Sequence, residues 1–272
     1  MPILADYHIH STHSGDCKAP MEDTIQTAIS KGLKQICFTD HMDFDFPYQP
    51  FDDPTMFELN VDSYLYELLQ LRDKYQDKIK ICFGVELGLD ASVLKKNLVF
   101  ARSQEFDFII GSSHLCHGKD PYYPPFYEDR SEETAYREYF ESILENVKTF
   151  HNFDVYGHLD YVVRYGPNKD NNYSYAQYKD IIDAILSALI ENEKGIEINT
   201  AGLNKGLKDL HPCTDILKRY RELGGEIVTI GSDSHSTDTI ASHFDRAADA
   251  LTACGFKYYC VFEKRIAEFL KL

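Results

Sequence analysis

Short apolar segments alternate with longer amphipathic ones along almost the whole chain, and this alternation limits the fold more than any other feature. We predict strands at 3–10, 35–41, 78–86, 106–114, 153–160, 195–200 and 225–235. We predict helices at 21–31, 61–75, 132–150, 175–192, 213–223, 244–254 and 263–270. Regular β/α alternation is typical of an α/β fold in which helical crossovers join the strands of a parallel sheet.

The predicted strands share a second property, because each ends in polar residues that are able to bind a metal ion. A closed barrel brings all its strand ends to one rim, where the active sites of that architecture lie. An open sheet would spread the same ends along a line at about 4.8 Å per strand. We therefore predict a barrel of seven strands, or of seven plus a degenerate eighth at 256–262, in one domain spanning 1–272.

Histidine is concentrated at these strand ends. His8 and His10 are two positions apart, so on a strand both imidazoles point to the same side. The polar residues at the strand ends include six of the eleven histidines and two carboxylates: His8, His10, His41, His114, His158, His235, Glu86 and Asp233. Imidazole with carboxylate is the usual ligand set for zinc, iron or manganese. Because one catalytic zinc takes about three protein ligands, the set indicates two or three divalent ions, which suits phosphoryl transfer.

Charge, cysteine content and hydropathy exclude several classes of protein. The formal net charge is −16 and no Lys/Arg cluster occurs, which argues against a nucleic-acid partner or a membrane surface. The seven cysteines form no CxxC pair, and several lie in apolar segments, as in a protein of a reducing compartment. The N-terminal residues do not resemble a signal peptide, and no apolar stretch is long enough for a membrane helix. We therefore expect a cytoplasmic protein, and the sequence does not indicate its oligomeric state.

Six motifs, in this order, resemble those of the PHP (polymerase and histidinol phosphatase) superfamily: HIHSTHSGD, FTDH, GVE, SSH, GHLD and GSDSH. Within that superfamily, GHLDYVVRYG and EINTAGL look most like the stand-alone histidinol-phosphate phosphatases. The resemblance implies a distorted (β/α)7 TIM-like barrel that holds three divalent metal ions, of zinc, iron or manganese. It also implies hydrolysis of a small-molecule phosphate monoester, L-histidinol phosphate, to L-histidinol and phosphate in histidine biosynthesis.

The resemblance further implies a ligand set for each ion. The first ion would be held by His8, His10, Glu86 and Asp233, and the second by Glu86, His114 and His158. The third would be held by His41, His235 and one residue of the first loop. Both His13 and Asp16 are available in that loop, and we favour Asp16 as the ligand.

We hypothesise that a hydroxide bridging two of the ions attacks the phosphorus, since metal binding lowers the pKa of water toward about 7. Asp233 could bind a metal and also relay a proton as a catalytic residue. Arg164 is a candidate phosphate clamp or, equally, a solvated surface arginine. His13 and Asn199 are further candidates for contact with the substrate, Asn199 by orienting a ligand or the substrate. The pattern leaves open whether Glu197 points the same way as Asn199 or is buried and paired.

The ammonium and imidazole groups of such a substrate would need partners as well. Asp43, Asp45 and Asp160 lie near the predicted strand ends and could attract the ammonium. The loops with the sequences FPYQPF and PYYPPFY could form an aromatic pocket for the imidazole, or could simply cover the top of the barrel.

Three other functions compete with this one. A PHP phosphoesterase acting on nucleotides or nucleic-acid ends is disfavoured by the net charge. An amidohydrolase typically has a carbamylated lysine at its fourth strand, where this chain has His114. A non-catalytic metal-binding regulatory module could lose ligands without penalty, yet every motif position here keeps a usable donor.

Overall fold

The computed structural model describes residues 3–47 and 53–272. It contains a parallel sheet with the spatial order β1-β2-β4-β5-β6-β7-β8, in which the short β3 also pairs with β4. The strands are β1 Ala5–Ile9, β2 Gln35–Phe38, β3 His41–Met42, β4 Lys80–Gly88, β5 Phe108–Ser112, β6 Val155–Tyr156, β7 Gly195–Asn199 and β8 Val228–Gly231. Since β2 and β3 both run along β4, they are two halves of one interrupted strand, and the sheet has seven strand positions.

The sheet closes on itself through main-chain hydrogen bonds between β1 and the segment after β8. Asp233 N donates to His8 O at 2.8 Å, and His10 N donates to Ser234 O at 3.0 Å. The predicted distorted (β/α)7 barrel is therefore confirmed. Closure brings the carboxyl ends of the strands to one rim, as the argument from the strand ends required.

Helices cover the outside of the barrel. They are α1 Met21–Ser30, α2 Val61–Tyr75, α3 Leu94–Phe100, α4 Glu132–Thr149, α5 Lys179–Glu191, α6 Ala201–Asn204, α7 Thr214–Glu222 and α8 Phe244–Ala253. The side chains of Asn60 and Ser131 accept from main-chain N–H groups in the first turns of α2 and α4, which stabilises both helix starts. The short α3 and α6 were not predicted, because neither is long enough to show a helical period in the sequence. No helix in the described ranges combines the length and apolar character needed to cross a membrane.

The C-terminal segment corrects the sequence prediction. The helix predicted at 263–270 is wrong, because β9 Tyr258–Glu263 and β10 Ile266–Lys271 form an antiparallel hairpin. Lys264 and Arg265 form its two-residue turn with φ values of 50 and 65, the left-handed pair that such a turn needs. Neither is Gly or Asn, so the usual turn signal is missing from the sequence, and the apolar residues of β10 also fit a helical spacing.

The same hairpin shows why 256–262 does not complete the barrel as an eighth strand. It forms its own two-stranded sheet and lies against the ends of the barrel strands that are opposite the rim. Tyr7 Oη donates to Phe262 O at 2.7 Å, and the rings of Phe108 and Phe262 are 5.0 Å apart. Arg265 pairs with Asp154, which precedes β6. The hairpin therefore covers the amino end of the barrel and leaves the carboxyl rim for chemistry.

Candidate metal centre

Glu86, near the end of β4, lies at the centre of a cluster of imidazoles on the carboxyl rim. Its Oε2 is 3.2 Å from His8 Nε2 and 3.1 Å from His41 Nδ1. Its Oε1 is 2.7 Å from His158 Nε2 and 3.2 Å from His114 Nε2. Each imidazole comes from a different strand position, so the closed barrel is what places four of them around one buried carboxylate.

The histidines of β1 are arranged as ligands of a cation. His8 Nδ1 lies 2.6 Å from Glu197 Oε1, and an ionised carboxylate can only accept, so Nδ1 carries the proton. His10 Nδ1 lies 3.1 Å from the hydroxyl of Ser14, which itself donates to Asp40, so His10 Nδ1 is also the donor. Both Nδ1 atoms are therefore used as donors, and the two Nε2 atoms face each other at 3.1 Å. Burial alone would lower the pKa of His8, but Glu197, Glu86 and Asp233 raise it well above its usual range, so without a metal ion His8 carries a second proton. Two facing imidazole nitrogens need a proton or a cation beside them, so the residues fit a metal ion.

His114 is held in the same way. Its Nδ1 donates to Asp43 Oδ1 at 2.7 Å, which directs the lone pair of Nε2 toward Glu86. Gly88 makes room for this contact, because a Cβ there would lie 1.9 Å from Asp43 Oδ1. Burial alone would lower the pKa of His114, but the carboxylates of Asp43 and Glu86 raise it to about 10. In the absence of a cation, a proton on His114 therefore takes the place that a metal ion would fill.

A third group lies at the open side of the cluster and includes Asp16. His235 Nδ1 donates to Asp233 O at 3.1 Å, which leaves Nε2 facing Asp16 Oδ2 at 3.0 Å as the atom available to a metal ion. His41 Nε2 is 3.7 Å from the same carboxylate oxygen. Asp16 and His235 keep side-chain exposures of 37% and 31%, so this is the side from which a substrate can enter.

His13, the alternative loop residue, is not brought to the cluster. Its Nε2 lies 2.9 Å from Glu67 Oε2 on α2, and its ring packs edge-on against Tyr64 at 5.4 Å. The structure therefore favours Asp16 over His13 as the ligand from this loop. Contact between His13 and a substrate stays a prediction, since the structure shows His13 held by Glu67.

Asp233 joins the imidazole cluster to a buried arginine. Its Oδ1 is 3.7 Å from His8 Nε2 and 3.5 Å from His10 Nε2, while both Nη atoms of Arg164 donate to Oδ2 at 3.3 Å. Burial alone would raise the pKa of Asp233, but His8, His10 and the guanidinium hold it well below its usual range. Asp233 is therefore a carboxylate at neutral pH and is able to bind a metal ion.

Arg164 is not a surface residue. Its side chain is 6% exposed, and its guanidinium lies over the ring of Tyr161 at 5.2 Å from the centroid. Within the described ranges its Nε has no hydrogen-bond partner, so it keeps an unused donor beside the cluster. A buried, preorganised guanidinium with free donating capacity is suited to a phosphoryl group.

The structure shows the environment of Glu197, for which the sequence left two alternatives open. It is buried and paired: Oε1 accepts from His8, and Oε2 accepts from His158 N at 2.9 Å and from Asn199 Nδ2 at 3.2 Å. Asn199 is itself fully buried, and its Oδ1 accepts from Ala201 N at 3.0 Å. Asn199 therefore supports Glu197 through its amide, and a contact between Asn199 and the substrate stays a prediction. Alternation along β7 places both residues on one side, which was the only signal in the sequence.

Unsatisfied polar atoms give a second indication that a cation fits here. Glu86 Oε2, His41 Nδ1 and His158 Nδ1 are buried without a hydrogen-bond partner in the part of the chain that the structure describes. Buried polar groups in native proteins are nearly always satisfied, and a bound ion is one explanation when they are not. Burial alone would raise the pKa of Glu86, but the facing histidines hold it well below its usual range, so Glu86 carries the charge a metal needs.

Two of the carboxylates suggested for a substrate ammonium are held elsewhere, in addition to Asp43. Asp45 lies at the surface and pairs with Lys96 Nζ at 2.6 Å. Asp160 is buried, and its Oδ1 accepts from His211 Nδ1 at 2.5 Å. The sequence FPYQPF lies largely outside the described residues. In PYYPPFY, Phe126 is buried beneath Arg130, whereas Tyr122 is exposed, so only part of that loop packs as a cover.

Comparisons with known proteins agree with this geometry. The sequence profile of the PHP domain family matches residues 6–201. A histidinol-phosphatase from Lactococcus lactis subsp. lactis is 37% identical over 260 residues, covering 94% of this chain and 93% of the relative. A protein of Clostridium acetobutylicum named probable histidinol-phosphatase is 34% identical, covering 98% of this chain and 100% of the relative. The crystal structure of the L. lactis histidinol phosphate phosphatase, complexed with zinc, L-histidinol and phosphate, matches with a TM-score of 0.87 and 34% identity, covering 97% and 98% of the two chains.

Proposed function

The chain belongs to the PHP domain family, and from that premise we propose that it is a metal-dependent phosphatase that hydrolyses L-histidinol phosphate to L-histidinol and phosphate. The observation that carries the proposal is the gathering of imidazole nitrogens around the buried carboxylate of Glu86 on the barrel rim. The solved relative, which contains zinc, L-histidinol and phosphate, supports the choice of substrate. The free thiols of the cysteines agree with the cytoplasmic location proposed from the sequence.

The proposed ligand sets follow the three groups described above. The first ion would take His8, His10, Glu86 and Asp233, the second Glu86, His114 and His158, and the third Asp16, His41 and His235. Among the described residues, five donor groups could hold a metal ion, and four of them fall within these ligands: His8, His10 and Asp233; His8, Glu86 and His158; His41, Glu86 and His114; and His10, His41 and His235. The fifth, Cys116 with His117 and Glu138, lies outside the proposed ligand sets. Zinc, iron and manganese all accept imidazole with carboxylate, and the solved relative contains zinc.

The residues around the cluster have the remaining roles in the reaction, namely phosphate binding and proton transfer. Bound divalent ions supply Lewis-acid polarisation of the phosphoryl oxygens and lower the pKa of water. Arg164 binds a phosphoryl oxygen through its unused donors and keeps Asp233 ionised. The leaving alcohol needs a proton; Asp233, the proposed relay, is ionised and would first accept that proton from the attacking water, and it lies between Arg164 and the histidines of β1. The ring of Tyr161 packs against that of His158, with centroids 4.9 Å apart, and lines one side of the cluster.

A panel of phosphate monoesters tests the proposal. Purified protein is assayed with L-histidinol phosphate, ribonucleoside monophosphates and a short DNA, before and after chelation of metals. We expect preference for histidinol phosphate, loss of activity on chelation and recovery with added divalent ions. A clear preference for a nucleotide would contradict the proposed substrate, and activity that survives complete metal removal would contradict the proposed mechanism.

A further inference from the structure

Asp120 is a carboxylate in a loop beside the site; its position is fixed, but within the described residues its charge is not paired. It lies in the loop between β5 and α4, where its Oδ1 accepts from Tyr122 N at 2.7 Å and its main-chain O accepts from Tyr123 N at 3.2 Å. The structure gives Oδ2 no donor from residues 3–47 or 53–272. The side chain is half-buried; His114 lowers the pKa of Asp120, and Asp120 raises the pKa of Tyr161, so the carboxylate lies within electrostatic reach of the metal cluster.

A row of tyrosine rings joins the cluster to this loop. The ring of Tyr161 is 5.7 Å from that of His114 and 5.0 Å from that of Tyr165. The ring of Tyr165 is in turn 5.2 Å from that of Tyr122, two residues beyond Asp120. Tyr161 and Tyr165 are partly exposed and Tyr122 is 59% exposed, so the row borders space that a ligand can reach. It forms an aromatic wall that leads outward from the metal cluster.

The order of charges along this wall matches the order of groups in one class of substrate. The guanidinium of Arg164 lies over Tyr161, at the inner end beside the cluster, and the carboxylate of Asp120 lies farther out. In histidinol phosphate the ammonium is on the carbon next to the one that carries the phosphate ester, and the imidazole follows. A phosphoryl group held at the rim therefore leaves the ammonium and the ring just outside the cluster.

We propose that Asp120 is the residue that selects an amino-alcohol phosphate, by binding its ammonium, while Tyr165 and Tyr122 form the wall for its aromatic ring. This inference rests on the proposed phosphatase function and adds the specificity-determining contact to it. The three carboxylates suggested by the sequence are held by other partners, whereas Oδ2 of Asp120 has no donor in the part of the chain that the structure describes.

Burial raises the pKa of Asp120 to about 6, because the half-buried carboxylate has lost part of its solvation. At neutral pH the group is still mainly ionised. A desolvated carboxylate gains more from a cationic partner than a fully hydrated one does, because the local dielectric constant is lower. An ammonium bound at this position would supply the missing partner.

The test compares two substrates in two variants. Asp120→Asn removes the charge but keeps an oxygen that can accept from Tyr122 N, so the loop should fold as before. The substrates are L-histidinol phosphate and imidazolylpropyl phosphate, which lacks the amino group. Asp129→Asn is the matched control, because Asp129 is exposed in the same loop and its φ of 58 is one that asparagine also adopts.

We expect Asp120→Asn to lower kcat/KM for histidinol phosphate by about 10- to 100-fold, the range for loss of a hydrogen bond between charged groups. The same variant should change kcat/KM for imidazolylpropyl phosphate by less than about threefold, and Asp129→Asn should affect neither substrate. Equal losses on both substrates, or no loss on either, would overturn the role of Asp120 while leaving the phosphatase function in place. Failure of the parent protein to hydrolyse histidinol phosphate would overturn both proposals.

Discussion

Replacing Glu197 by glutamine tests whether the metal centre depends on the residues behind its ligands. All three groups that contact the carboxylate are donors, namely His8 Nδ1 at 2.6 Å, His158 N at 2.9 Å and Asn199 Nδ2 at 3.2 Å. A carboxylate can accept from all of them, whereas an amide accepts through one oxygen and turns an N–H against a donor on the other side. The variant therefore loses at least one buried hydrogen bond and gains a donor–donor contact.

The size of the effect follows from these contacts. A hydrogen bond to a charged group contributes about 1.5–3 kcal/mol, and each 1.4 kcal/mol corresponds to about tenfold in a binding constant. Removing a residue that orients a ligand typically weakens metal affinity by about 10- to 100-fold, which agrees with that figure. We therefore expect the zinc Kd of Glu197→Gln to rise by about 10- to 100-fold.

The assay is titration of metal-free protein with zinc in competition with a chromophoric chelator. Asp154→Asn is the control, because Asp154 is a buried carboxylate at the opposite end of the barrel, where it pairs with Arg265 and accepts from Ile109 N at 2.8 Å. Both variants should lose stability, but only Glu197→Gln should lose zinc affinity. If Glu197→Gln bound zinc as tightly as the parent protein, the idea that Glu197 fixes the ring of His8 would be refuted.

Three further predictions follow from the same geometry. Asp43→Asn should reduce the occupancy of one metal ion and lower kcat by at least about tenfold, because Asp43 fixes the position of the proton on His114. Metal analysis together with steady-state kinetics checks this, and full metal occupancy with full activity would contradict it. Arg164→Ala should lower kcat/KM by about 100-fold or more, with Arg164→Lys recovering only part of the loss, since lysine cannot form two parallel hydrogen bonds to phosphate. Chelated protein should lose stability as pH rises from about 7 toward 10. The pKa of His114 is about 10 in the folded protein and about 6.5 in the unfolded chain, so its protonation stabilises the folded state fully below pH 6.5, and this stabilisation is lost as the pH rises toward 10. Thermal melts across that pH range check the sign, and a chelated protein that becomes more stable toward pH 10 would contradict it.

The sequence predicted the barrel and the gathering of the histidines because both depend on simple periods. Alternation along a strand places His8 and His10 on one side, and closure of parallel strands brings Glu86 and His114 to the same rim. Membership of the PHP domain family is confirmed by the match over residues 6–201.

Partners that depend on three-dimensional packing were not predictable in this way. Asp43 was expected near a substrate ammonium, but it orients His114, since Gly88 on the neighbouring strand leaves room for it. His13 and Asp16 are three residues apart, and only the folded loop shows that His13 turns to Glu67. Asp120 lies in a loop without any period, so no sequence pattern marked it.

The gathering of carboxylates on one rim determines the net charge of the centre with and without metal ions. Five of them meet a single permanent cation, the guanidinium of Arg164: Asp16, Asp43, Glu86, Glu197 and Asp233. Neutral imidazoles would leave an excess of about four negative charges. Burial lowers the pKa values of His8, His41 and His114, but the facing carboxylates raise them above the usual range, so in the metal-free pocket protons on these three residues offset most of that excess. Three divalent ions would displace the protons and leave about two positive charges, the amount that a phosphate monoester dianion neutralises. Metal uptake therefore has to compete with protons, and the loaded pocket should attract the anion more strongly than the metal-free one.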